Sequence, residues 1–75
     1  MKIYRDTFLK RLNSYLNGGI QAVEIKKCKN TNEYDITISI EDINLQISNV
    51  ISAINFINDK YYNGEIHFRN KYIEL

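Results

Sequence analysis

The stretch that decides the fold is residues 34–47, which read YDITISIEDINLQI. In its first half, apolar side chains alternate with polar ones, and this period of two predicts a strand with one buried face. After Glu41-Asp42 the apolar positions shift by one residue, to Ile43, Leu45 and Ile47. Such a shift turns the buried face to solvent unless a turn or bulge intervenes. We therefore predict one strand at 34–41 and another at 43–47, with a bulged continuation of the first as the alternative.

Two further segments have the spacing of amphipathic helices. The first can begin at a cap on Asp6 or Thr7, and Asn17-Gly18-Gly19 should end it, because glycine adopts the left-handed conformation without strain. Its apolar stripe comprises Phe8, Leu9, Leu12, Tyr15 and Leu16.

The second helix should begin at Ser48 or Asn49 and end at Asn63-Gly64. Because Asn-Gly is also a strong hairpin signal, a hairpin pairing 60–62 with 65–69 is the competing interpretation. The helix is favoured because its apolar positions keep phase from residue 50 to residue 61: Val50, Ile51, Ile54, Ile57 and Tyr61.

Two strands complete the prediction, at 20–28 and 65–75. In the last strand, Ile66 and Phe68 should share one face, with His67, Arg69 and Lys71 on the other. The fold class is then α+β: a two-layer domain over residues 1–75, with a small, mainly antiparallel sheet and two helices on one face. The sheet is a three-strand meander plus a C-terminal strand, in the order α-β-β-β-α-β. The predicted core comprises Phe8, Leu12, Leu16, Val23, Ile25, Ile36, Ile38, Ile40, Leu45, Ile47, Val50, Ile54 and Ile57.

Composition restricts the class of protein. The chain has 75 residues, a net charge of +1, no proline and a single cysteine, so no internal disulfide can form. No segment resembles a signal peptide or a membrane span, and we expect a cytoplasmic protein with no membrane partner. A net charge this small argues against an acidic mimic of nucleic acid and does not require a nucleic-acid partner.

No motif for catalysis, metal binding or cofactor binding is present, and we expect a protein that is not an enzyme. Cys28 lies among lysines that could lower its pKa, but no base is placed beside it, so a buried inert thiol is favoured. His67 is the only histidine, and zinc sites need three or four ligands. We therefore expect His67 to be a solvated strand residue.

The partner-binding residues that we predict are cationic and aromatic. If the final strand lies parallel beside the first, their cations form one patch on the open face of the sheet. Three of the six tyrosines, Tyr15, Tyr34 and Tyr61, fit core stripes, whereas Tyr4, Tyr62 and Tyr72 are available for an interface. The predicted partner-binding set is Lys26, Lys27, Lys29, Arg69, Lys71 and Tyr72.

The predicted order of helix, three-strand meander and helix resembles that of double-stranded-RNA-binding domains. That family reads RNA with basic residues at the start of its second helix. The corresponding segment here, Ser48-Asn49-Val50-Ile51-Ser52, contains no Lys or Arg, so no site is carried over.

Small single-domain proteins rich in Asn, Ile and Tyr are typical of phage and mobile-element inhibitors such as anti-CRISPR proteins. We therefore expect a protein-binding module that inhibits a host enzyme by covering its surface. The alternative is a nucleic-acid-binding domain that uses a basic sheet edge. An edge strand could also support a homodimer.

Overall fold

The computed structural model describes residues 1–75, in which two helices accompany a three-stranded sheet. The elements are α1 (Arg5–Leu16), β1 (Ile20–Lys27), β2 (Glu33–Ile40), α2 (Ile47–Tyr62) and β3 (His67–Glu74). Strand β2 is central, antiparallel to β1 and parallel to β3. The α+β class is confirmed, and the sheet is mixed instead of mainly antiparallel. The condition for a single cationic patch, a last strand that lies parallel beside the first, is not met, because β1 and β3 occupy opposite edges.

Both helices pack on the same face of the sheet, as predicted. Strand β2 supplies the centre of the core, since Ile36, Ile38 and Ile40 all point towards the helices. Leu16, Ile25 and Leu45 are only partly buried at its margin. The core cluster comprises Phe8, Leu12, Ile20, Val23, Ile36, Ile38, Ile40, Val50, Ala53, Ile54, Ile57 and Ile66.

The predicted strand at 43–47 is wrong, because hydrogen bonds around Asp42 turn the chain there. The Asp42 side chain accepts a hydrogen bond from the Asn44 amide at 2.9 Å, and the Asp42 carbonyl accepts one from the Leu45 amide at 3.0 Å. An aspartate that bonds the backbone two residues on is a strong turn former and overrides the apolar alternation. Ile47 consequently begins α2 and is 54% exposed, contrary to its predicted place in the core.

With two strands between the helices, the element order that resembled a double-stranded-RNA-binding domain is absent. The same turn folds Leu45 back over the junction between α1 and β1. A Cβ at Gly19 would lie 3.0 Å from Leu45 Cδ2, and Gly19 has a φ of +104°. Glycine is required there for both reasons.

Each helix joins the following strand through the same kind of cap. Asn17 and Asn63 both adopt the left-handed conformation, and each is followed by a glycine with positive φ. The Gly64 amide donates to the Asn58 carbonyl at 2.9 Å, which closes the end of α2. Asn63-Gly64 is therefore a helix cap and not a hairpin turn.

A second asparagine in each helix clamps the strand that follows. The Asn13 side-chain amide donates to the Ile20 carbonyl and accepts from the Ile20 amide, both at 3.0 Å. Asn58 makes the same pair of bonds with Ile66, at 2.9 and 3.1 Å. Since an asparagine amide carries both a donor and an acceptor, one side chain satisfies both backbone groups of a buried isoleucine.

We predict that Asn58→Ala lowers the free energy of unfolding by about 1–3 kcal/mol, because it leaves the amide and carbonyl of buried Ile66 without partners. Urea denaturation measures the loss. Asn55→Ala is the matched control, since Asn55 is exposed on the same helix and the change in helix propensity is the same. Equal stability of the two variants would contradict the clamp.

Candidate functional site

Strand direction brings the end of β1 beside the starts of β2 and β3. Because β1 runs against β2 while β3 runs with it, Lys26 is in register with Asp35, and Asp35 with Asn70. The face that carries these side chains is opposite the helices and is uncovered. We call this region the sheet end and define it by Lys26, Lys27, Cys28, Lys29, Asp35 and Arg69, which line an open cleft of about 510 Å³.

A β-bulge aims two consecutive side chains of β3 at Asp35. Tyr34 is in register with Phe68 but Asp35 with Asn70, so Arg69 is the extra residue. Arg69 Nη2 lies 3.0 Å from Asp35 Oδ2, and Asn70 Nδ2 lies 3.1 Å from Asp35 Oδ1. In an unbroken strand these neighbours would point to opposite faces, so the bulge is what makes the network possible.

The bulge also changes the predicted partner-binding set. Beyond it, Lys71 is in register with buried Ile36, and its Nζ lies 5.7 Å from the centre of the Phe68 ring. Lys71 is thus separated from Arg69, contrary to the predicted alternation. Tyr72 is in register with Thr37 on the uncovered face and is half exposed.

The structure therefore brings together four of the six predicted residues, although β1 and β3 are not neighbours. Their cationic charges are not equally free. Arg69 is paired with Asp35, and Lys27 Nζ donates to the Thr31 carbonyl at 2.7 Å. No ion pair joins Lys26 or Lys29.

Asp35 is the electrostatic centre of the sheet end. The hydrogen bond from Arg69 lowers the pKa of the Asp35 carboxyl, and Asn70 adds to this effect. Conversely, the Asp35 carboxylate raises the pKa of Arg69. Cys28 Sγ lies 3.6 Å from Asp35 Oδ1, and burial raises the pKa of this thiol. Cys28 therefore lacks the lowered pKa of a reactive cysteine.

His67 is exposed at the start of β3, in register with Glu33. No group of three His, Cys, Asp or Glu side chains is arranged to hold a metal ion.

A second candidate surface lies on the outer side of the two helices. Tyr15 of α1 stacks on Phe56 of α2 with ring centres 4.6 Å apart, and Arg11 lies 3.9 Å from the centre of the Tyr61 ring. Lys60 Nζ lies 5.6 Å from the Phe56 ring and 5.5 Å from the Tyr61 ring. We call these five residues the helix-face patch. Its three aromatic side chains are 45%, 40% and 43% exposed in chain order.

Sequence reasoning missed this patch because it assigned Tyr15 and Tyr61 to core stripes. Their spacing from Leu12 and Ile57 fits a stripe, but the helices meet each other along this side, so the rings pack between helices and remain at the surface. Tyr62, the residue after the predicted stripe, instead stacks on buried Phe8 at 6.1 Å. The sequence did contain a signal, because each helix has a cation and an aromatic residue four positions apart, Arg11 with Tyr15 and Phe56 with Lys60, which marks a helix surface where such side chains can meet.

Comparison with protein-family models, with curated proteins and with solved structures finds no match to this chain. Neither helix has the length and apolar character needed to cross a membrane.

We predict that Asp35→Asn destabilises the protein at neutral pH and that the difference from the parent shrinks in acid. A carboxyl whose folded pKa is lowered stabilises the fold fully above its unfolded pKa of about 3.9, and the contribution disappears as pH falls through the lower folded value. Urea unfolding at a series of pH values tests this. Asp59→Asn, at an exposed position on α2, is the control. A destabilisation by Asp35→Asn that stays constant below pH 4 would rule out the charge-dependent network.

Proposed function

We propose that this protein is a non-enzymatic protein-binding module that docks through the helix-face patch. The observation that carries the proposal is the half-exposed set of three aromatic rings with two cations beside them. Aromatic residues and arginine are the residue types that dominate binding energy at protein interfaces.

The side chains of the patch also contact one another in the free protein. Tyr15 and Phe56 hold each other by stacking across two helices, and Arg11 is held against Tyr61. Side chains that are already fixed lose little conformational entropy when a partner covers them, so more of the contact energy appears as affinity.

Size supports occlusion as the mode of action. A standard interface covers roughly 800 Å² of each partner, which is about a sixth of the 5134 Å² surface of this protein. A domain of this size can therefore cover a functional surface of a larger protein with one helix face. Inhibition of a host enzyme, as phage and mobile-element inhibitors of the anti-CRISPR type do, is the form of this activity that we propose.

We expect Phe56→Ser to reduce capture of the partner from a bacterial lysate by about tenfold or more, since truncating an interface hot spot removes over 1–2 kcal/mol of binding energy. Capture is compared on immobilised parent and variant proteins whose circular dichroism is the same. Nuclease treatment of the lysate should leave the captured protein unchanged.

Three variants serve as controls for this experiment. Tyr72→Ser truncates a half-exposed ring on the opposite face of the protein. Cys28→Ser and His67→Ala remove the two side chains best suited to catalysis. All three should capture as the parent does. Parental capture by Phe56→Ser, together with loss in Tyr72→Ser, would instead place the partner on the sheet.

Nucleic-acid binding at the sheet end is a second candidate function, favoured by the four cations that line one cleft. Contacts to phosphates make affinity fall with salt, by a slope of about −0.7 per contact for single strands. If this function holds, oligothymidylate binding should be salt-dependent, and Lys26→Gln should reduce the slope by about 0.7. Lys10→Gln, on α1, is the control. Binding that is absent at low salt would refute this candidate.

A further inference from the structure

We infer that the partner segment that binds the helix-face patch is acidic, with a Glu or Asp side chain paired to Arg11 and an adjacent apolar side chain in the cleft beside it. The inference rests on the proposed function and adds the chemistry of the partner. Four features of the patch support it: the charge of the residues that line its cleft, the contacts that hold Arg11, the occupied faces of its rings and the size of the cleft.

The helix-face patch contains a cleft whose positive charges are not neutralised by any acidic side chain. A cleft of about 190 Å³ lies between the two helices, and none of its seven lining residues is acidic, whereas Arg11 and Lys60 are both present. No ion pair involves either cation. A partner with carboxylates therefore gains attraction here without displacing an internal partner.

Arg11 is held in place while most of its donors stay free. Its guanidinium lies over the Tyr61 ring at 3.9 Å, and one nitrogen, Nη1, lies 3.3 Å from the Tyr62 hydroxyl. A guanidinium carries five N–H donors in a fixed fork, and this contact uses one. A carboxylate can therefore bind two remaining donors side by side, with little entropy lost by the arginine.

The rings are poorly placed to stack on nucleotide bases. Phe56 has Tyr15 on one face and Lys60 near its ring, and Tyr61 has Arg11 over its face. Base stacking requires free aromatic faces. Ring edges carry partial positive charge, so a contact between a ring edge and a carboxylate oxygen is favourable.

The cleft is small enough to specify one side chain. Its volume of about 190 Å³ is below the roughly 300–1,000 Å³ of sites for small molecules. Its apolar part is supplied by Tyr15, Phe56, Ile57 and Tyr61. A partner segment with a carboxylate and an adjacent apolar side chain would therefore fill both parts of the site: the carboxylate would pair with Arg11, and the apolar side chain would occupy the cleft.

The experiment is an NMR titration of the ¹⁵N-labelled full chain with three probes. The first is a capped peptide with one leucine flanked by glutamates, the second is the same peptide with glutamines, and the third is oligothymidylate. The glutamate peptide should shift the backbone amides of residues 11, 15, 56 and 60, and the glutamine peptide should bind roughly fivefold more weakly, the effect of one partly exposed ion pair. Oligothymidylate should leave these amides unshifted.

Arg11→Lys keeps the charge but removes the fork, and should weaken binding of the glutamate peptide by less than the roughly fivefold loss expected when the whole ion pair is removed. Arg5→Lys, on the same helix outside the cleft, should bind as the parent does. Equal binding of the two peptides, no shift at the patch, or shifts there with oligothymidylate would each overturn the inference. The proposed function is tested separately, by the loss of lysate capture in Phe56→Ser. If that loss is seen while the peptide titration fails, the inference is wrong and the proposed function is not.

Discussion

The two asparagine clamps are the interaction on which the rest of the structure depends. The side-chain amides of Asn13 and Asn58 each hydrogen-bond both backbone groups of a buried isoleucine. Each of these isoleucines lies at the junction between a helix and the strand that follows it. Because both hydrogen bonds of each pair must form together, the clamp fixes the distance and the orientation of the first strand residues relative to the helix. The left-handed caps at Asn17 and Asn63 reverse the chain so that this pairing is possible.

Both surfaces follow from that constraint. Once Ile20 and Ile66 are fixed, Phe8 and Ile54 join one core with the isoleucines of β2, and the two helices lie side by side. The residues left between the helices on the outer side are Tyr15 and Phe56, and they stack because their backbones are already in place. On the other side, the fixed entry of β3 and its bulge bring Arg69 to Asp35. Weakening a clamp should therefore disturb a surface that lies several residues away.

Sequence periodicity predicted the parts of the fold where one local signal acts alone. The alternation from Tyr34 to Ile40 and the stripe from Val50 to Ile57 both correspond to observed elements. It failed where a side-chain hydrogen bond competes with periodicity, as at Asp42. It also failed where pairing between distant strands sets the face of a residue, as at Lys71 after the bulge. The helix-face patch required knowledge of which side of each helix meets the other, which spacing within one helix does not contain.

The two surfaces use their arginines in opposite ways, and this difference favours the helix face for binding. Arg69 forms an ion pair with Asp35 within the protein, so an acidic partner at this position would meet a charge that is already compensated. Arg11 is held by rings and a hydroxyl, which orient its guanidinium but leave its positive charge uncompensated. A net charge of +1 conceals this distinction, because it counts both arginines alike. We therefore expect an acidic partner to bind at the helix-face patch, where Arg11 is oriented but not neutralised, and not at the sheet end, where cations are most numerous.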